Sequence, residues 1–295
     1  MSSHLAKIQK KMNIYAKRRV RNVLSGNYGS VFKGRGMDFD DLRVYEYGDD
    51  VKDIDWKASA RSRSPMIRRY VAVRKHNIMI VADAGRNMAA LAPSGEEKKD
   101  IATFVAGIIA YIANKNTDLI GMTFGNNTGN SRFPLKEGVN HIENFLNKYE
   151  KSISLSSGKT DLAALLNYVS KNYRERMFLI IIADGFSVSK IPIDIFRKLS
   201  ARHEQMVVMV DDAPMTNKLF SKDEARDISE DIRLPRYLRN NRKLRKAEEN
   251  MRTAVQEKTT HELKRLGICS CVVSSVDDAV PKVFKMLEEQ KHARK

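Results

Sequence analysis

From residue 76 onward, short apolar runs alternate with stretches of helical periodicity. HNIMIVAD (76–83), DLIGMTFG (118–125), MFLIIIAD (177–184), QMVVMVDD (205–212) and ICSCVVSS (268–275) are continuous apolar segments of strand length. Between them, residues 98–116 place Ile101, Phe104, Val105, Ile108, Ile109 and Ile112 three and four apart, which predicts an amphipathic helix. Helices are also predicted over 139–150, 160–173, 192–203, 239–266 and 278–291, with Thr160 or Asp161 as an N-cap. GNNTGN (125–130) reads as a turn. Strand, helix, strand repeated in this way predicts an α/β fold with a mostly parallel sheet covered by helices on both faces. Ligands in such sheets bind beyond the carboxyl ends of the strands. Asp83 and Asp184 end two of them.

Residues 1–76 break the rhythm. A basic helix over 3–22 leads into SGNYGSVFKGRGMDFDDLRVYEYGDD, whose glycines predict turns and short β-segments. The chain thus reads as an N-terminal α+β portion (1–76) and an α/β domain (77–295) with an irregular basic insertion at about 213–265.

Charge sharpens this division. Of a formal net charge of +17, residues 1–76 carry 18 Lys/Arg against 8 Asp/Glu and residues 232–265 carry 11 against 4, while 77–231 hold 19 against 20. Two basic segments flank a nearly neutral body, a pattern suited to an acidic protein surface, a nucleic acid or an anionic membrane. No apolar run approaches transmembrane length, and the N-terminus has no signal-peptide h-region, so the expected location is the cytoplasm. Cys269 and Cys271 stand at i, i+2 in a strand pattern and read as buried thiols, because two ligands alone do not make a zinc site.

The densest chemistry lies in GRGMDFDDLRVYEYGDDVKDIDWKASARS (34–62). Asp38, Asp40 and Asp41, with Asp49, Asp50, Asp53 and Asp55, would suit a hard cation and hence a metal-dependent hydrolase, but the EF-hand spacing is absent. Carboxylates paired with the nearby arginines and capping turns, with Trp56 and Phe39 packed, is the favoured reading. The phrase also resembles the signature of the bacterial domain-of-unknown-function family 58. It stands here as Phe39, Asp41-Leu42-Arg43, Tyr45, Gly48-Asp49-Asp50 and Ile54 through Arg61. VADAGRNM, SGKTDL, IIADGF and ARHE fit later landmarks, so the resemblance covers essentially the whole chain. It implies a von Willebrand factor A-like domain with an extra N-terminal portion, and a partnership with MoxR-type AAA+ ATPases acting on client proteins.

Domains of that type often hold one Mg²⁺ in an adhesion-type site built from D-x-S-x-S after the first strand, a loop Thr, and an Asp ending a later strand. Carried over, the resemblance points to Asp83, Gly85 and Asn87, then Thr160, then Asp184. Gly85 has no side-chain oxygen and Asn87 no hydroxyl, so the site is expected to be degenerate, with weak Mg²⁺ affinity or no ion. The alternative is that Asp83 and Asp184 cap the segments after their strands.

Other catalytic patterns fail. Gly158-Lys159-Thr160 lacks the upstream glycine of a phosphate loop, where Ile153 stands. His4, His76, His141, His203, His261 and His292 accompany no G-x-S-x-G or H-E-x-x-H pattern, and His203, which closes a helix pattern, reads as an exposed or C-terminal capping residue. The basic stretch 232–252 has one aromatic, Tyr237, where nucleic-acid modules usually offer several. The expected function is therefore a non-catalytic protein-interaction module, an adaptor or co-chaperone of a MoxR-type ATPase. The alternative is a nucleic-acid or anionic-surface binder.

Overall fold

The computed structural model describes residues 3–19, 37–72, 75–217, 225–228, 233–235 and 241–292. They fall into two compact units. One comprises helix α1 (His4–Arg19) and the chain from Asn77 onward, and the other lies within residues 32–76.

In the smaller unit, β1 (Met37–Val44) pairs antiparallel with β2 (Met66–Ala72), and helix α2 (Trp56–Ser62) lies between them in sequence. The acidic signature holds these turns together. Asp55 caps α2 by accepting from the Lys57 and Ala58 amides at 3.1 Å each. Asp50 accepts from Lys52 N at 3.0 Å, and Asp49 accepts from Glu46 N at 3.0 Å and from Arg43 Nη2 at 2.5 Å. The backbone and guanidinium donors hold the Asp49 carboxyl below its usual range. Trp56 is not packed as expected: it is 69% exposed, and Tyr47 is fully exposed. The side chains of Asp38, Phe39, Asp40 and Asp41 lie outside the described ones.

The larger unit is built on six strands: β3 (Asn77–Asp83), β4 (Leu119–Asn126), β5 (Gly129–Lys136), β6 (Phe178–Asp184), β7 (Glu204–Val210) and, after a two-residue pair β8 (Ala225–Arg226) and β9 (Arg233–Leu234), β10 (Cys269–Val273). Their order is β10-β7-β6-β3-β4-β5, parallel throughout except for β5, which runs antiparallel to β4. Helices α3 (Lys98–Lys115), α4 (Val139–Ser152), α5 (Leu162–Asn172), α6 (Gly185–Ser189), α7 (Ile193–Ser200), α8 (Arg242–Arg265) and α9 (Val276–His292) connect and cover them. Strand alternation divides the core. Met79, Val81, Leu179, Ile181, Val207 and Met209 pack with Leu165, Val169, Phe196, Leu199 and Leu263 on one face. Ile78, Ile80, Ile180, Ile182, Met206 and Val208 are equally buried on the other, which α3 covers. The mixed α/β architecture expected from the sequence is present.

Two features differ from expectation. An edge strand, β5, begins inside GNNTGN and runs to Lys136, and only its Phe133 is buried; its polar residues and Pro134 suit an edge and hide it from periodicity. The second is the place of α1, which belongs to the α/β unit rather than to the signature region. Leu5, Ile8 and Met12 are buried, and Ile8 lies where a Cβ on Gly107 of α3 would stand, 2.0 Å from its Cδ1. Glu143 of α4 then caps the first turn, accepting from His4 N at 3.1 Å, Leu5 N at 2.7 Å and the Ser3 hydroxyl. Burial acts to raise the Glu143 carboxyl, but these donors outweigh it and hold it low.

Candidate functional site

The sheet order places β3 and β6 side by side, with β4 on one flank and β7 on the other. Successive connections therefore leave β3 and β6 in opposite directions, which makes their carboxyl ends the topological switch point where α/β folds keep their sites. Asp83 and Asp184 are the last residues of these two strands, and both are buried.

Three of the residues singled out in the sequence do converge. Asp83 Oδ1 accepts from Gly85 N at 2.8 Å, and Asp83 Oδ2 accepts from Asn87 Nδ2 at 3.1 Å. The Thr160 hydroxyl reaches the same carboxylate, 3.0 Å from Oδ2, and also lies against the Asn87 side-chain oxygen. Arg86 N bonds Gly158 O at 2.9 Å, tying the two loops together. Thr160 is thus a ligand of Asp83, and the N-cap of α5 is Asp161, which accepts from Ala164 N at 2.9 Å. Burial pushes the Asp83 carboxyl up to about 6, against the pull of these hydrogen bonds.

Asp184 is committed elsewhere. Its Oδ1 caps α6, accepting from Phe186 N at 2.8 Å and Ser187 N at 3.1 Å, while its Oδ2 takes the Lys98 ammonium at 2.5 Å. Lys98 Nζ also lies 2.9 Å from Asp212 Oδ1. Lys98 is the first residue of α3 and is 1% exposed. Burial works against its charge, but the two carboxylates outweigh that and hold the ammonium above its usual range. Burial likewise acts to raise Asp184, and Lys98 with the two amides brings it below the ordinary carboxylate range. Behind Asp212, Arg252 of α8 bonds Asp211 Oδ1 at 2.8 Å and the Asp212 carbonyl. Sequence reasoning missed Lys98 and Asp212. The signal was present: Lys98, Ile101, Ala102 and Val105 share one helical stripe, so a charged residue stands in a buried row.

This donor set does not fit a divalent ion of the adhesion type. A Cβ at Gly85 would lie 2.2 Å from Thr160 Oγ1 and 2.7 Å from Thr160 N, so Thr160 fills the space a hydroxyl-bearing residue would need. Asp184 already has a cation and two amide donors. Among the described residues, no group of three or more His, Cys, Asp or Glu could hold a metal ion. His203, expected as an exposed or capping residue at a helix end, is buried, and burial lowers its pKa.

The family model for DUF58, a protein family of unknown function, matches residues 41–258. The chain belongs to this family. It is similar to uncharacterized proteins Mb1516 of Mycobacterium bovis and Rv1480 of Mycobacterium tuberculosis, each 27% identical over 210 residues, 70% of this chain. The match spans 65% of the length of these relatives. Among solved structures, an aerotolerance-related membrane protein from Bacteroides fragilis aligns with 74% of this chain and 98% of its own, at TM-score 0.44 and 16% identity. A von Willebrand factor type A protein from Catenulispora acidiphila aligns with 75% of this chain and 44% of its own, at TM-score 0.38 and 11% identity.

Beside the strand tips, this DUF58 protein carries a cleft of about 230 Å³ whose lining includes Arg86, Lys159, Thr160, Phe186, Ser187 and Lys190. Phe186 is 52% exposed, and Lys190 Nζ sits 4.2 Å from its ring centroid. A ring held open under an ammonium, with further cations around it, is a surface for an acidic group next to an apolar one. Among the described residues, no helix is long and apolar enough to cross a membrane.

Proposed function

We propose that this DUF58 protein is a non-catalytic protein-interaction module of the cytoplasm, an adaptor or co-chaperone of a MoxR-type AAA+ ATPase, and that the carboxyl edge of its sheet binds the partner. One observation carries this reading. The strand-tip acids, which would be the reactive groups of an enzyme, are committed to holding loops: Asp83 to Gly85, Asn87 and Thr160, and Asp184 to Phe186, Ser187 and Lys98. What reaches solvent next to them is a recognition surface of Phe186, Lys159 and Lys190, matched to an acidic segment of a partner. Tyr47 and Trp56, exposed in the signature unit, supply a second contact. The thiols fit the same reading. Burial pushes Cys271 up to about 12 and raises Cys269, which leaves both as poor nucleophiles.

The choice of ATPase comes from the family resemblance. Recovery of an AAA+ ATPase with the tagged chain, from cells expressing both, supports it; repeated failure to recover one contradicts it. The nucleic-acid reading has one observation in its favour, the exposed Arg242, Lys243, Arg245 and Lys246 at the start of α8. It requires affinity that falls linearly in log K against log salt.

A further inference from the structure

The fold family's usual cation site and the residues present here disagree, and the disagreement has a specific structural form. In the adhesion-type arrangement a divalent ion neutralises the acids at the strand tips. Here a covalently attached positive charge stands beside one of them: Lys98, 1% exposed, reaches Asp184 Oδ2 at 2.5 Å and Asp212 Oδ1 at 2.9 Å.

We propose that Lys98 is the built-in cation of this site, and that the binding edge is shaped without a divalent ion. Three independent pieces of geometry support it. First, both oxygens of Asp184 already have partners, the ammonium on one and the Phe186 and Ser187 amides on the other. A divalent ion at this carboxylate would meet the Lys98 ammonium 2.5 Å from Oδ2 and the α6 cap on Oδ1. Second, the ammonium joins β6 to the segment after β7, and Arg252 fixes that segment in turn through Asp211. The charge network thus crosses adjacent strand ends as a bound ion does, but its position is set by the start of α3. Third, Gly85 lets Thr160 reach Asp83 directly, and a side chain at Gly85 would collide with the Thr160 backbone. The donor loop has closed onto the acid, in the place where an ion would separate them.

A lysine cannot dissociate, so such a site is indifferent to chelators and to the divalent-ion concentration around it. It also offers no open coordination position to a partner's carboxylate. Recognition of an acidic group passes instead to the exposed Lys159 and Lys190. The inference stands whether or not the partner is an ATPase.

The test is titration of the full-length protein with Mn²⁺, followed by loss of the free-ion electron paramagnetic resonance signal, and with Mg²⁺, followed by the melting temperature. The expected result is no saturable Mn²⁺ binding and a melting curve that EDTA and Mg²⁺ leave in place. A ligand present at ~100 times its Kd raises the melting temperature of a domain this size by several degrees, so real binding would be seen. Saturable one-to-one binding abolished by both Asp83→Asn and Asp184→Asn overturns the proposal.

A second measurement separates counter-ion from filler. Lys98→Met should lower the melting temperature, and adding Asp184→Asn should restore part of the loss, because the stranded carboxylate is then neutral. A double variant that melts no higher than Lys98→Met alone overturns it.

Discussion

The Thr160 hydroxyl lies 3.0 Å from Asp83 Oδ2, joining the end of β3 to a loop 77 residues further along the chain. Gly85 makes this approach possible, because a Cβ there would stand 2.7 Å from the Thr160 amide nitrogen. Restoring the hydroxyl of the adhesion motif by Gly85→Ser should therefore destabilise the protein, by about 1–3 kcal/mol on the scale of overpacked sites. Urea denaturation measures it. A Gly85→Ser protein as stable as the parent would show that the loops have room to spare.

Asp83 gives a pH signature. Its folded-state carboxyl is pushed up to about 6 by burial, above the ordinary value of 3.8. A raised carboxyl stabilises the fold through its bound proton, so its contribution is fully present below about pH 4 and is lost as pH rises through 6. The stability of the parent minus that of Asp83→Asn should fall between pH 4 and pH 7, by on the order of 2–3 kcal/mol. Chemical denaturation at both pH values tests this, and a difference that rises or stays flat contradicts it.

The N-terminal helix makes a third case. Gly107→Val should push Ile8 off α3, and Ile8→Ala should empty the same contact at a cost of about 2–4 kcal/mol. Glu143→Gln weakens the cap on the first turn. All three should speed amide hydrogen exchange in residues 4–12 while leaving β3 and β6 protected. Unchanged exchange in 4–12 would place α1 outside the cooperative core.

What the sequence made legible follows from which forces are local. Strand length, helical periodicity and the acids at strand ends are visible along the chain, so β3, β4, β6, β7 and β10 and the residues Asp83 and Asp184 could be read in advance, while Thr160 came from the family resemblance. β5 could not, because an edge strand has one buried side chain, Phe133, and no alternation to detect. The membership of α1 depends on Gly107, 99 residues beyond Ile8, and on Glu143, 138 beyond Leu5, and Lys98 gains its meaning only when α3 brings it to Asp184. Trp56 misled for the opposite reason, since a large aromatic ring in a dense motif suggested packing, and it is exposed.

The central claim is that the edge beside the strand tips holds a partner through Phe186 and the cations around it. The most direct measurement is the affinity of the purified chain for the proposed AAA+ partner, by calorimetry, for the parent and for Phe186→Ala and the double variant Lys159→Glu/Lys190→Glu. Both side-chain sets are solvent-exposed, so the variants should melt with the parent and bind at least about tenfold more weakly, as loss of an interface anchor does. Parental affinity in both variants, with folding intact, would contradict the claim.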